Sequence, residues 1–153
     1  MPGEKVKILM VCLGNICRSP LAQGILESKL DPTKYEVQSA GTGNFHIGKQ
    51  PDPRSIAVAQ KNGLDITKQK AAQFQVFDFD YYDHIFAMDI SNYGNIIALA
   101  RNNEDKSKVK LILNEISSGS DSEVPDPYYG GDSGFDHVYR LLDEACEAIA
   151  ERV

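Results

Sequence analysis

The sequence predicts an α/β fold in which four parallel strands form one sheet with helices on both faces. Four short apolar runs alternate with segments whose apolar residues recur at helical spacing, and this order is typical of a helix-covered parallel sheet. The chain has 153 residues, 42% of them hydrophobic, which is enough for one core without disulfides or metals. We therefore expect a single domain over residues 1–153.

The first elements are a strand, a tight loop and a helix. Residues 6–11 (VKILMV) form a nearly continuous apolar run that suits a buried strand. Ser19 is a good N-cap and Pro20 a good first residue for the helix that follows. Residues 35–40 (YEVQSA) then predict the second strand.

The rest of the chain repeats this order. Asp52 is the expected N-cap of the second helix, which should end near Gly63. Residues 84–88 predict the third strand, 89–102 a helix and 109–113 the fourth strand. The last helix is predicted by apolar residues at helical spacing, which are Phe135, Val138, Leu141, Leu142, Ala145, Cys146 and Ile149.

The net charge and the cysteine content limit which binding partners and which cellular compartment are expected. The formal net charge of −6 repels polyanions, so nucleic acid and anionic membranes are not expected partners. Three scattered cysteines are typical of a reducing compartment, and no apolar stretch approaches transmembrane length. The apolar run 8–13 is too short for a signal peptide. We expect a cytoplasmic protein that is a monomer or a weak dimer.

Residues 11–20 (VCLGNICRSP) hold two of the three cysteines, Cys12 and Cys17. Buried cysteines at a strand end are often only small packing residues. A zinc site would require further cysteine or histidine ligands at suitable spacing. The third cysteine, Cys146, is predicted on the core face of the last helix, and the histidines are scattered, at His46, His84 and His137. We therefore expect no metal and no cofactor.

The same loop has the residues of an anion site. It leaves a strand and opens a helix, so free backbone N–H groups and the helix dipole converge on it. Gly14 permits φ > 0, and Asn15 is the non-glycine residue that tolerates it best. Arg18 offers a planar fork for phosphate oxygens. These dipoles favour a thiolate at Cys12, which Ser19 can stabilise further with a hydrogen bond, and such a thiolate is a nucleophile for phosphoryl transfer.

A phosphoryl transfer also needs a proton donor for the leaving group. Asp126 is the candidate, because Pro125 and Pro127 stiffen the backbone on either side of it. Two glycines follow in the sequence VPDPYYGG, so the loop combines a stiff centre with a flexible end.

At these motifs the chain resembles the low-molecular-weight protein tyrosine phosphatases. The resemblance rests on VCLGNICRSP at 11–20 and DPYYG at 126–130, with SAGT, PDPR and MDISN between them. It covers essentially the whole chain. It implies a flavodoxin-like or Rossmann-like three-layer sandwich and the hydrolysis of phosphotyrosine in proteins and of small aryl phosphates.

The resemblance implies a role for each residue of the loop. Cys12 would form a phosphocysteine, Arg18 would bind the phosphate, and Asp126 would act as general acid and then as general base. The phosphate-binding residues would be Leu13, Gly14, Asn15, Ile16, Cys17 and Arg18. The residues that support the loop would be Asn15, Ser19 and Ser39.

The resemblance also implies a redox role and a substrate rim. Cys17 would trap an oxidised Cys12 as a reversible disulfide. An apolar slot around a phosphoaryl ring would be formed by Leu13, Ile16, Phe45, Tyr128 and Tyr129. Exposure in an acidic loop makes Tyr128 and Tyr129 themselves candidates for phosphorylation. The expected partner is a phosphotyrosyl protein, for which a tyrosine kinase is one candidate.

Three alternatives stay open. An arsenate reductase shares this fold and loop but needs further thiols, and only Cys146 lies downstream. Members that resemble phosphoarginine phosphatases tend to carry threonine before the second cysteine, where this chain has Ile16, and to lack the tyrosine pair. A phosphate-binding module without catalysis would be free to lose Cys12, Arg18 or Asp126.

The chain departs from the family at one point. Gln69 stands near the position of a histidine that braces the loop, and Ala72 near that of an arginine. We expect Gln69 to hydrogen-bond toward Asn15 or a loop carbonyl.

Overall fold

A computed structural model describes residues 4–127 and 132–153. In the last helix, the side chains are described from residue 134 onward. The four described strands form one parallel sheet in the order β2-β1-β3-β4. The sheet therefore confirms the predicted fold class. The strands are β1 (Val6–Cys12), β2 (Tyr35–Gly41), β3 (His84–Ala87) and β4 (Val109–Leu111).

The helices cover both faces of this sheet. The described helices are α1 (Arg18–Lys29), α2 (Pro53–Lys61), α3 (Asp78–Tyr81), α4 (Ile90–Ile97), α5 (Asn103–Ser107) and α6 (Asp132–Arg152). Asp52 caps α2 as predicted, because its side chain accepts a hydrogen bond from the backbone N–H of Arg54. The short helices α3 and α5 were not predicted by the sequence, because four or five residues are too few for a helical repeat to show.

The central strand β1 is buried on both faces, which explains its continuous apolar run. Ile8 and Met10 belong to one core cluster with residues of α1, α2 and α6. Leu9 and Val11 belong to a second cluster with Phe79 of α3 and residues of α4. Since neighbouring residues of a strand point to opposite faces, the alternation along β1 divides the protein into three layers.

Three predicted boundaries were wrong. β4 ends at Leu111, because residues Ile112–Glu115 turn into a 3-10 helix. Helix α4 ends at Ile97, earlier than the predicted end at 102. Helix α1 begins at Arg18 with Cys17 as its N-cap residue, and no side chain caps it. Ser19 therefore lies inside the first turn, where its hydroxyl is directed to other partners.

The carboxyl ends of the strands bring three segments to one edge of the sheet. The loop after β1 leads into α1, and β3 leads through Met88 into α4. The segment 116–127 returns to the same edge, because the backbone N–H of Val124 donates to the carbonyl of Met88 at 2.9 Å. This edge is where ligands bind in open parallel sheets. In the described part of the chain, no helix is long and apolar enough to cross a bilayer.

The packing of α6 predicts the stability of one core variant. Leu142 is fully buried in the cluster that joins α6 to α1. Leu142→Ala should lower the free energy of unfolding by about 2–5 kcal/mol, because it removes buried methyl groups and leaves a cavity. Glu144→Ala, on the exposed side of the same helix, should change it by less than about 0.5 kcal/mol. Urea unfolding measures both, and equal losses would contradict this assignment of the α6 face.

Candidate active site

Cys12 is the last residue of β1, and its side chain is only 3% exposed. The backbone N–H of Asn15 donates to its Sγ at 3.3 Å, and the Ser19 Oγ lies 3.1 Å from the same sulfur. Both contacts come from the loop that follows the strand, which we call the phosphate loop (residues 12–18), and from the first turn of α1. They stabilise negative charge on the sulfur.

Asn15 takes the strained position of the phosphate loop. Its φ is 57°, a conformation that the sequence analysis judged asparagine to tolerate, whereas Gly14 does not use its freedom to adopt φ > 0. A Cβ at Gly14 would lie 3.0 Å from the His46 ring, which would have to shift to make room for it. The end of β2 packs closely against the backbone of the loop, since a Cβ on Gly41 would lie 2.6 Å from the Leu13 carbonyl oxygen.

The Asn15 side chain joins three other segments to the loop. Its Nδ2 donates to the hydroxyl of Ser19 at 2.7 Å and to that of Ser39 on β2 at 2.9 Å. Its Oδ1 accepts from the backbone N–H of Ala72 at 2.9 Å. Asn15 is 2% exposed, and each of these polar atoms has a partner.

Arg18 is a buried cation with a fixed orientation. Its Nη1 donates to the Asp89 carboxylate at 2.7 Å and to the carbonyl oxygen of Val124 at 2.9 Å. Burial lowers the pKa of the guanidinium, but the neighbouring Cys12 and the carboxylates of Asp89 and Asp126 raise it above its usual value. Arg18 therefore stays charged at any physiological pH.

Asp126 lies close to this cation. Its Oδ2 is 3.7 Å from Nη2 of Arg18, and its side chain is 35% exposed. Cys12, Arg18 and Asp126 line one cavity of about 400 Å³, and the other lining residues are Leu13, Gly14, Ile16, Cys17, Phe45 and His46. The structure thus brings the predicted nucleophile, cation and acid to the same cavity. Tyr128 and Tyr129 lie outside the described residues.

Cys17 lies on the same cavity in a different electrostatic environment. Burial raises the pKa of its thiol to about 12, with further contributions from the charges of Asp52, Cys12 and Asp126. Cys17 is therefore a neutral thiol at physiological pH. The two cysteines of the loop are chemically distinct, and neither forms a disulfide in this structure.

The expected contact of Gln69 with Asn15 is not made. Its Nε2 donates to the carbonyl oxygen of Pro20 in α1 at 3.1 Å. The partner of Asn15 in this segment is the backbone of Ala72, which needs no particular side chain. A main-chain group therefore supplies part of the loop support that we had assigned to Gln69.

Three residues of the site were missed by the sequence analysis. Asp89 follows β3 and holds Arg18, and its place directly after a strand was an available signal. His46 lines the cavity but occurs in a loop without a motif. Gln23 accepts a hydrogen bond from Ser39 at 2.7 Å, and nothing in the periodicity of α1 distinguishes it from other polar residues.

No metal centre is evident in the described ranges. Among residues 4–127 and 134–153, no three histidine, cysteine or acidic side chains are grouped as ligands would be. The positive charge at the cavity is supplied by Arg18.

A family model for low molecular weight phosphotyrosine protein phosphatases matches residues 7–153. The chain belongs to this family. It is 40% identical over 146 residues to the low molecular weight phosphotyrosine protein phosphatase of Schizosaccharomyces pombe, and the match covers 92% of each chain. The protein is accordingly a hydrolase of the phosphotyrosine phosphatase type.

Solved structures of phosphatases are also similar to this member of the family. A protein tyrosine phosphatase from Entamoeba histolytica, with Hepes in its active site, has a TM-score of 0.89 at 36% identity, covering 95% of this chain and 94% of that one. A Drosophila arginine phosphatase has a TM-score of 0.85 at 31% identity, covering 95% and 96%. Overall fold therefore does not separate the two substrate classes.

Proposed function

We propose that this phosphatase hydrolyses phosphotyrosine in proteins, and small aryl phosphates, through a phosphocysteine on Cys12. The observation that carries the proposal is the shared cavity, on which Cys12, Arg18 and Asp126 meet. Residues 1–153 would act as one phosphatase domain.

In the first step the Cys12 thiolate attacks phosphorus, the S–P bond forms, and the bond from phosphorus to the phenolic oxygen breaks. Asp126 gives its proton to the departing phenolate. Both N–H groups of Arg18 Nη1 are engaged by Asp89 and Val124, so Nε and Nη2 are the donors left for phosphate oxygens. The uncapped first turn of α1 and the loop N–H groups add further donors for the equatorial oxygens.

In the second step water attacks phosphorus and the S–P bond breaks, which releases phosphate and restores the thiolate. The Asp126 carboxylate takes the proton of that water, by microscopic reversibility. The Ser19 hydroxyl and the Asn15 N–H, which contact Cys12 Sγ, stabilise the sulfur as a leaving group in this step. Ile16, Leu13 and the exposed ring of Phe45 would contact the aryl group of the substrate.

The competing activities of the same fold are less well supported. An arsenate reductase would need a mobile second thiol, but Cys146 is fully buried against α1, where burial raises the pKa of its thiol. The likeness to the arginine phosphatase keeps phosphoarginine as a second candidate substrate. Ile16 favours phosphotyrosine, because it puts an apolar side chain at the cavity beside an aryl ring.

The proposed setting is a reducing compartment, in keeping with a cytoplasmic enzyme. Cys12, Cys17 and Cys146 are all free thiols. The proposed partner is a phosphotyrosyl protein, for which a tyrosine kinase is one candidate.

Removal of the nucleophile tests the proposed function. Cys12→Ser should lower turnover of p-nitrophenyl phosphate at least about a thousandfold, because a serine hydroxyl at this position lacks a base to activate it. Binding of inorganic phosphate, measured by calorimetry, should persist, since Arg18 and the loop N–H groups remain. Cys146→Ala is the control and should retain turnover. Substantial activity in Cys12→Ser would contradict the assignment, and a wild-type protein that binds phosphate without turnover would be a binding module.

The acid is tested with substrates of different leaving groups. Asp126→Asn should slow phenyl phosphate by about a hundredfold or more, because its leaving group needs a proton. It should slow p-nitrophenyl phosphate far less, since nitrophenolate leaves without one. Values of kcat/KM for the two substrates measure the difference, because they report the steps through departure of the leaving group and not the hydrolysis of the shared phosphocysteine. A uniform loss across both would argue against a general acid.

We also propose that Cys17 protects the enzyme from irreversible oxidation. Peroxide would convert the Cys12 thiolate to a sulfenic acid, and the Cys17 sulfur would then displace water to form a disulfide. Because the pKa of Cys17 is raised to about 12, the attacking thiolate is scarce near neutral pH. The rate of disulfide closure should therefore rise steadily with pH through the neutral range.

The redox proposal predicts a difference in recovery. After peroxide treatment, thiol should restore much of the starting activity of the wild type and of Cys146→Ala, but little of that of Cys17→Ser, whose Cys12 oxidises further. Each variant is compared with its own untreated activity. Equal fractional recovery in Cys17→Ser would show that Cys17 is only a packing residue.

A further inference from the structure

We propose that Gln23 is a positioning residue for the phosphate loop, acting on Asn15 through Ser39. The proposal rests on the proposed function, because it concerns the loop assigned there to phosphate binding. The three side chains form one hydrogen-bonded series, which we call the brace (Gln23, Ser39 and Asn15).

The brace connects helix α1 to the loop by way of the neighbouring strand. Ser39 Oγ donates to Gln23 Oε1 at 2.7 Å, and Asn15 Nδ2 donates to the same Ser39 Oγ at 2.9 Å. Gln23 is only 7% exposed and Ser39 is half-buried, and both line a cavity of about 350 Å³. The side chain of Gln23 also lies near the Glu27 carboxylate, whose pKa is raised by burial and lowered to a smaller extent by Gln23.

The direction of each hydrogen bond follows from the chemistry of the groups. A backbone N–H can only donate, so the atom of Asn15 that contacts the Ala72 N–H must be the oxygen, Oδ1. The other amide atom is therefore Nδ2, which donates both of its protons. The hydroxyl oxygens of Ser39 and Ser19 both accept from it. Each hydroxyl then has a single proton to donate.

That single proton explains the need for Gln23. The proton of Ser39 is taken up by Gln23 Oε1, which fixes the Ser39 rotamer as an acceptor facing Asn15. The proton of Ser19 has two acceptors within reach, the Cys12 sulfur at 3.1 Å and the carbonyl oxygen of Ala40 at 3.5 Å, and the shorter contact favours the sulfur. Loss of the Gln23 acceptor would let the Ser39 hydroxyl rotate, so that it no longer holds the Asn15 amide in place. The Ser19 hydroxyl and the Asn15 N–H, which donate to the Cys12 sulfur, would then be less well positioned.

Gln69 provides a matched comparison, because it lines the same cavity as Gln23 and Ser39. It is also a partly buried glutamine, but it donates to the Pro20 carbonyl and contacts neither Ser39 nor Asn15 through any hydrogen bond within the described part of the chain. Its Oε1 is buried and has no hydrogen-bond partner among the described residues. Gln69 therefore shares the residue type and the location of Gln23 without belonging to the brace.

The test compares Gln23→Met with Gln69→Met, because methionine keeps the shape of glutamine and removes its strong acceptor. Three quantities are measured for each: kcat/KM for p-nitrophenyl phosphate, the inhibition constant of inorganic phosphate, and the rate at which iodoacetamide alkylates Cys12 at mildly acidic pH. Gln23→Met should lower kcat/KM and the alkylation rate by about five- to tenfold and weaken phosphate inhibition. Gln69→Met should leave all three near wild type.

Two further variants separate positioning from general stability. The exchange Gln23→Glu with Glu27→Gln keeps an acceptor for Ser39 and the total charge, so it should restore most of the lost activity. Ser39→Ala cuts the brace at its next link and should reproduce the Gln23→Met pattern, which keeps the test decisive if Gln23→Met does not fold.

Two results would overturn the positioning role. One is a Gln23→Met protein with wild-type alkylation and phosphate inhibition, and the other is an equal loss in Gln69→Met. A wild-type protein that lacks phosphatase activity while Cys12 is still alkylated and protected by phosphate would instead refute the proposed function and leave the brace assignment standing.

Discussion

The amide of Asn15 is the interaction on which the site depends. It joins the phosphate loop to β2 through Ser39, to α1 through Ser19, and to the segment after α2 through the backbone of Ala72. A left-handed residue that is not glycine costs about 1 kcal/mol, and the three buried hydrogen bonds offset this cost. No other side chain of suitable size both tolerates this backbone and offers one acceptor with two donors.

The charge of Arg18 sets a second condition on the site. This buried cation is held by Asp89 at the end of β3 and by the carbonyl of Val124, so its position depends on two segments far from it in sequence. Around it lie the carboxylates of Asp89 and Asp126 and the sulfur of Cys12. A phosphate dianion would meet a net negative charge if all three were ionised. The proposed binding of a phosphate dianion therefore relies on the backbone N–H groups of the loop as well as on Arg18.

The features of the fold and of the site that could be predicted from the sequence are those that depend on local sequence patterns. The apolar runs predicted all four strands, and the VCLGNICRSP stretch predicted the cavity around Cys12 and Arg18. The errors have a common physical origin, because they concern partners that only the folded chain supplies. Ser19 has the residue type of an N-cap but does not cap α1, whereas its predicted contact with the Cys12 sulfur is made.

Asn15, Ser19 and Ser39 were expected to support the loop, but Gln23 could not be predicted, for the same reason. A polar residue such as Gln23 on a helix is usually solvated, and only the close approach of β2 makes it an acceptor for Ser39. Gln69 was expected to contact Asn15 or a loop carbonyl, but its side chain donates to the carbonyl of Pro20 in α1. The packing of helix against strand, which the sequence does not reveal, therefore decides which glutamine lies behind Ser39.

Cys12 and Asp126 lie on segments that differ in how deeply they are buried. Cys12, the proposed nucleophile, lies at the end of the central strand and is held by buried hydrogen bonds, whereas Asp126, the proposed proton donor, is partly exposed on the segment after β4. That segment is attached to the sheet at Val124, whose N–H donates to Met88 and whose carbonyl accepts from Arg18. Arg18 thus contacts both the phosphate site and the backbone two residues before the acid. In the proposed mechanism, a phosphate bound by Arg18 would therefore share this cation with the backbone that carries Asp126, which would link substrate binding to placement of the proton donor.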